Sequence, residues 1–128
     1  MSFNKPKKIF IVDDDEMLQA TLEDYLTLKT PHQVMCFGTG EECIANIAET
    51  PEIIIIDYNL NAVDKNAANG LDTMLEIKKH YSNIHFIMLS GQERYGIALQ
   101  SLQKGAEQYV IKDEDAYEKI VQMIEELE

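Results

Sequence analysis

Pro51-Glu52-Ile53-Ile54-Ile55-Ile56-Asp57-Tyr58-Asn59-Leu60 is the stretch from which the rest of the chain can be read. Four consecutive isoleucines, bounded by a proline and a polar segment, describe a strand buried on both faces, as in parallel sheets. A carboxylate at the end of such a strand calls for a reason. In open α/β sheets, ligands gather beyond the carboxyl ends of the strands, which is where Asp57 falls. An aspartate leaving a strand can also simply cap a turn, so the other strand ends have to decide.

Upstream, an apolar run at 8–12 (Ile9-Phe10-Ile11-Val12) stops abruptly at Asp13-Asp14-Asp15-Glu16. A helical pattern follows, with Leu18, Leu22, Tyr25 and Leu26 on one face, and Thr30-Pro31 closes it. The acids ahead of it suit a helix N-terminus. Residues 33–37 read as a strand, and Thr39-Gly40-Glu41-Glu42 has the spacing of a capping box that opens a helix. Ile44, Ile47 and Ala48 are expected to face inward from that helix.

Downstream of Asp57 comes a long polar loop to Asn69, then a helix from Gly70 with Leu71, Met74, Leu75 and Ile77 apolar. Strands are expected at 84–89 and 107–111, and helices at 94–104 and 115–127. Gly105 serves as a helix stop. Tyr117, Ile120, Val121, Ile124 and Leu127 recur at 3.6-residue spacing. Five strand–helix alternations predict right-handed crossovers and one parallel sheet covered by helices on both faces, a three-layer α/β fold.

The 128 residues suit one domain, expected to span 1–128, and 45% hydrophobic content suits a packed core. With 11 basic against 23 acidic residues, a net charge of −12 argues against nucleic-acid binding. The apolar runs are too short to cross a bilayer, and the first eight residues lack the apolar centre of a signal peptide. No membrane association and a cytoplasmic location are expected. Cys36 and Cys43 form no metal or redox motif and read as small buried hydrophobes. His32, His80 and His85 show no ligand spacing and read as incidental.

The strand ends carry Asp13, Asp14 and Asp15, then Asp57, Ser90 and Lys112. Clustered carboxylates repel one another, and oxygen ligands select a hard divalent ion, Mg²⁺ or a close relative such as Mn²⁺. Ser90 adds a hydroxyl and Lys112 a point charge for an incoming anion. Together these are the parts that phosphoryl transfer to a carboxylate requires, with Asp57 as nucleophile. Asp15 reads as a helix-start carboxylate rather than a ligand.

Ile11-Val12-Asp13-Asp14, Ile56-Asp57, Asn69-Gly70-Leu71, Met88-Leu89-Ser90, Gly105-Ala106 and Tyr109-Val110-Ile111-Lys112 stand in that order and spacing. In this the chain resembles the receiver domain of bacterial two-component response regulators over essentially its whole length. The resemblance implies the flavodoxin-like (βα)5 fold with strand order 2-1-3-4-5. It implies that Asp57 takes a phosphoryl group from a phosphohistidine on a sensor histidine kinase or a histidine phosphotransfer protein. It further implies that Asp14 binds Mg²⁺ directly, Asp13 through water, and Asn59 through its backbone carbonyl. Ser90 and Lys112 would bind the phosphoryl oxygens. Ser90 and Tyr109 would form a switch that alters a face for a downstream effector protein or an effector domain on a longer chain. Such a domain is no enzyme beyond its own phosphorylation and dephosphorylation.

The chain departs from the family pattern in three places. Asn61 stands near a usual proline, the loop from Asp57 to Gly70 is longer than usual, and Asp113 rather than proline follows Lys112. The loop is expected to be the most mobile segment near the site. The Lys112–Asp113 peptide is expected to be trans, since a cis bond before a non-proline residue costs about 2.5–4 kcal/mol. Lys112 should still reach the site. Two competing readings are a dehalogenase-type phosphatase using Asp13-x-Asp15, and a receiver-fold binding module without phosphorylation. The first lacks a later acidic pair, because Ser90-Gly91 ends the fourth strand; the second has no need of polar groups at four strand ends.

Overall fold

A computed structural model describes residues 5–60, 65–91 and 95–127. The elements run β1 (Lys8–Val12), α1 (Glu16–Lys29), β2 (Gln33–Phe37), α2 (Gly40–Ala45), β3 (Ile53–Asp57), α3 (Gly70–Lys78), β4 (His85–Ser90), α4 (Tyr95–Gln103), β5 (Gln108–Ile111) and α5 (Ala116–Glu126). The five strands form one parallel sheet in the order β2-β1-β3-β4-β5. That is the flavodoxin-like arrangement expected from the sequence.

Strand alternation sorts the core into two layers. Phe10, Val12, Ile54, Ile56, Phe86 and Met88 face one side, where Cys43, Leu71, Met74 and Ile77 cover them from α2 and α3. Ile9, Ile11, Ile53, Ile55, Ile87 and Leu89 face the other, under Leu22 and Leu26 of α1 and Ile120, Val121 and Ile124 of α5. All of β3 is buried because β1 and β4 flank it and helices cover both of its faces. In register, Val12 lies beside Ile56, Asp57 beside Leu89, and Ser90 beside Ile111. The polar residues at the strand ends therefore share one rim.

Local chemistry sets the helix starts on that rim. Asp15 caps α1, accepting from the backbone N–H groups of Met17 and Leu18, as its reading as a helix-start carboxylate requires. Thr39 Oγ1 accepts from Glu42 N at 3.0 Å, and Asn69 Oδ1 accepts from Asp72 N at 2.8 Å.

The second helix differs from expectation. It ends at Ala45 and gives way to a 3-10 turn, Ile47–Glu49. Within α2 Cys43 is the buried residue while Ile44 is exposed, and in the tighter 3-10 turn Ala48 is exposed as well. Ile47 alone of the expected three packs against the core. Cys36 is only half-buried, because β2 is an edge strand. His32 is not incidental: it is buried, and its Nδ1 accepts from Lys7 N at 2.8 Å, tying down the entry to β1.

Residues 61–64, which include Asn61 and part of the loop expected to be mobile, lie outside the described residues, as does Arg94 at the expected start of the fourth helix. Before and after residues 61–64 the chain is tied. Leu60 is buried, and Ala68 N donates to Glu41 Oε2 at 3.2 Å.

Ser101, on α4, is fully buried, and its hydroxyl has no partner among the described residues. An unsatisfied buried hydroxyl costs about 1–3 kcal/mol. Ser101→Ala removes that cost and improves helix propensity. We expect thermal unfolding of this variant several degrees above the parent; a lower midpoint would show that the hydroxyl is satisfied.

Candidate functional site

Three carboxylates meet where β1 and β3 end. Oxygens of Asp13, Asp14 and Asp57 lie within 4.8 Å of one another. Asp13 and Asp57 are buried, while Asp14 is partly open. The turn after β1 is firmly held. Asp13 N donates to Phe37 O at 3.0 Å, and Asp13 Oδ1 accepts from Asp15 N at 2.9 Å.

Lys112 closes the site from β5. Its Nζ stands 3.0 Å from Asp13 Oδ2 and 3.3 Å from Asp57 Oδ2. Lys112 N donates to Ser90 O at 2.7 Å, which carries the β4–β5 pairing one step past the sheet and aims the lysine inward. The Lys112–Asp113 peptide is trans. Asp113 N donates to Ile111 O, and Asp113 Oδ1 accepts from Asp115 N, so this turn is built without proline. Beside it, a crevice of about 350 Å³ is lined by Leu18, Leu89, Lys112, Glu114, Ala116 and Tyr117.

Burial pushes the Asp57 carboxyl up to about 6, and the neighbouring Asp13 charge adds to this, while Lys112 and the Asn59 N–H oppose it. Burial likewise raises Asp13, against the pull of Asp15 N–H and Lys112. Burial presses the Lys112 ammonium down, but Asp57 and Asp13 more than compensate and it ends above its usual value. Among the described residues, Asp13 and Asp57 share one lysine, so the pair stays short of positive charge.

The residues fit a hard divalent cation. Asp13 Oδ2 is sealed from solvent, and its contact with Lys112 is an ion pair without an aligned hydrogen bond. Three convergent carboxylates with no sulfur or imidazole among them select oxygen-seeking metals.

Ser90 is fully buried at the end of β4, next in sequence to the register partner of Asp57. Asn59 N donates to Asp57 Oδ1 at 3.3 Å. Tyr109 lies in register with Met88 and packs against the core layer of α2 and α3. Its hydroxyl is buried without a partner among the described residues. Asp13, Asp14, Asp57 and Lys112 are thus brought together, Asn59 touches Asp57, and Ser90 stands on the adjoining strand. Tyr109 is set one strand further out. Asp15 points its carboxylate into the α1 backbone and is absent from the cluster.

Gly70 and Gln19 had no assigned role in the sequence reading of the site. A Cβ on Gly70 would stand 2.2 Å from the Asp57 carbonyl oxygen. The Gln19 side-chain amide donates to the carbonyl oxygens of Asp13 and Phe37. Nothing in the hydrophobic period separates Gln19 from the other polar residues of α1.

A family model for the response regulator receiver domain matches residues 9–125. The chain belongs to this family. It is a receiver domain of the two-component signalling type. Curated relatives include the response regulator protein VraR of Staphylococcus saprophyticus, 26% identical over 113 residues, covering 87% of this chain and 52% of the relative. VraR of Staphylococcus aureus strain NCTC 8325 is 28% identical over 111 residues, covering 85% and 51%. The receiver chain therefore spans about half the length of the curated relatives it matches. Among solved structures, a CheY-like receiver domain protein from Methanospirillum hungatei superposes with a TM-score of 0.81 at 22% identity, covering 96% of this chain and 94% of that one. A LuxR-family response regulator from Aurantimonas gives 0.84 at 21% identity, covering 96% and 85%. At these identities the structural likeness speaks for the fold. Among the described residues no helix is long and apolar enough to cross a membrane.

Proposed function

We propose that this receiver accepts a phosphoryl group on Asp57 from the phosphohistidine of a sensor kinase or a histidine phosphotransfer protein, and that the modification redirects binding of a downstream partner or effector domain. The observation that carries this is the pairing of a buried, uphill carboxylate with a single lysine shared between Asp57 and Asp13. An Asp57 oxygen attacks phosphorus, the P–N bond of the donor breaks, and the departing imidazole takes a proton from solvent. Asn59 N–H holds the other end of the carboxylate while Lys112 faces the incoming anion. Asp13, Asp14, Asp57 and the Asn59 carbonyl would hold Mg²⁺ or Mn²⁺, which supplies charge neutralisation for the phosphoryl oxygens. Ser90, on the rim beside Asp57, is suited to bind a phosphoryl oxygen. Its movement would be transmitted to Tyr109 and the outer edge of the sheet. On this reading the domain catalyses only its own phosphorylation and dephosphorylation.

The test is mass spectrometry after incubation with Mg²⁺ and a small phosphodonor. One phosphoryl mass gain on Asp57 is expected, and a label on Asp13 would favour a phosphatase chemistry instead. Asp14→Ala is expected to weaken Mg²⁺ binding about 10-fold or more, as loss of a charged ligand from a hard-ion site requires. Asp15→Ala, a helix-cap loss, should cost about 1 kcal/mol of stability and leave affinity nearly intact. Calorimetric titration of both variants decides between them. The pH dependence has a fixed sign. A carboxylate must be ionised to bind metal, so protonation of Asp57 below about 6 competes with the ion. Mg²⁺ affinity is expected to level off above that pH and to fall by up to about tenfold per pH unit below it.

A further inference from the structure

The α1 helix reaches the site through one side chain besides its cap. Gln19 lies one turn into α1, and its amide sits against the carbonyl oxygens of Asp13 and Phe37, the residues at the ends of β1 and β2. Both neighbours are acceptors, so the nitrogen faces them and each of its two N–H groups has a carbonyl to serve. Asp13 N also donates to Phe37 O. Amide and carbonyls thus form a closed knot around the peptide that carries the acidic turn. The same turn places Asp13 Oδ1 on Asp15 N and leaves Asp13 Oδ2 free of aligned donors, directed at Lys112. The knot has a back wall as well: Cys36 Sγ donates to Gln19 O at 3.8 Å.

We propose that Gln19 is a positioning residue for the cation site: by holding the Asp13 and Phe37 carbonyls it fixes the turn on which Asp13 and Asp14 present their oxygens. This rests on the proposed reading of the acidic cluster as a divalent-metal site. The physical case is one of rigidity. Carboxylates that repel each other will spread unless the backbone beneath them is held. Without Gln19 the Asp13 and Phe37 carbonyls each lose a donor, and among the described residues the β1–α1 turn keeps the Asp13 N–Phe37 O bond and the Lys112 ion pair beside its own short-range bonds. Groups that hold metal ligands in place change metal affinity by about 10–100-fold when removed.

The experiment uses the whole chain with Gln19→Met, which keeps length and removes the donors, and Gln19→Glu, which removes the donors while adding a negative charge. At about pH 8, well above the usual carboxylate range, Mg²⁺ affinity is measured by calorimetric titration, and amide exchange is followed in metal-free samples. Both variants are expected to bind Mg²⁺ about 10-fold or more weakly. The weakening in Gln19→Glu, against the pull of its extra charge, separates positioning from electrostatics. Exchange at the Asp13 and Asp15 amides is expected to accelerate while that of β3 stays slow. Affinity within about threefold of the parent in either variant, or exchange that is unchanged or accelerates evenly across the sheet, overturns the proposal. If the parent itself fails to bind Mg²⁺, the metal-site reading falls, and with it Gln19's role toward the ion. The exchange data would then still show whether Gln19 holds the turn.

Discussion

Asp57→Asn is expected to abolish phosphoryl uptake and, at neutral pH, to make the folded protein more stable. The first effect follows from losing the proposed nucleophile, since an amide oxygen does not form the acyl phosphate. The second follows from the cost of ionising Asp57 where it sits. Its carboxyl titrates near 6 in the folded protein against 3.8 for the ordinary group. Below the lower value both states are protonated and the residue carries no penalty. As pH rises toward and through about 6, the unfolded chain gives up its proton more readily, and stability is lost. The full difference amounts to about 3 kcal/mol above that range. Asparagine never pays it. Part of the gain is offset because Lys112 loses one of its two partners, though Asp13 remains 3.0 Å away. A net rise of about 1–2 kcal/mol at neutral pH, fading as pH approaches 4, is expected from denaturant unfolding across that range. Mg²⁺ should stabilise the parent more than the variant. An Asp57→Asn protein less stable than its parent at pH 7 would contradict the electrostatic account.

The sheet and its polar rim were legible because the residues that build them obey simple periods. Ile53-Ile54-Ile55-Ile56 is β-branched, short and bounded by Pro51 and a polar segment, which favours a strand covered on both faces, and its parallel neighbours follow from the alternation with helices. Asp13, Asp14, Asp57, Ser90 and Lys112 were found because each interrupts an apolar run at a strand end. Where the period is short, reading fails: the six residues of α2 carry too few turns to separate Cys43 from Ile44 by phase alone. His32 and Gln19 were illegible for a different reason. Each makes a side-chain bond to backbone across the fold, to Lys7 and to Asp13 and Phe37, and no local pattern encodes such a bond. Asp15 shows the reverse case. Its position before a helical pattern was enough to assign it to the backbone, and there it is found.

Gly70→Ala is expected to damage fold and site together. Asn69-Gly70-Leu71 was legible as a motif, but the sequence does not say what the glycine avoids. The structure shows that Gly70 N donates to Tyr58 O at 2.8 Å, drawing the start of α3 against the chain that leaves β3. A Cβ there would lie 2.2 Å from the Asp57 carbonyl oxygen, 2.8 Å from its carbon and 2.9 Å from Tyr58 Cα. All three are backbone atoms, so no rotamer change relieves the overlap, and α3 or the end of β3 must move. Forcing atoms into a filled site costs about 1–3 kcal/mol and sometimes more; backbone on both sides places this substitution at the upper end. The displaced atoms belong to Asp57, the residue proposed to accept the phosphoryl group. A misplacement of about 1 Å in a reacting group costs on the order of 100-fold in rate. Gly96 supplies the control, since a Cβ there meets nothing within 4 Å, and alanine in the first turn of α4 should be neutral or slightly stabilising. Thermal unfolding and the rate of phosphorylation measured on both variants should therefore diverge. Gly70→Ala should lose several degrees and most of its rate, whereas Gly96→Ala should keep its rate with equal or better stability. A Gly70→Ala protein that is phosphorylated at the parent's rate would show that the end of β3 yields freely, and that the close packing of α3 on Asp57 is not what holds the acceptor in place.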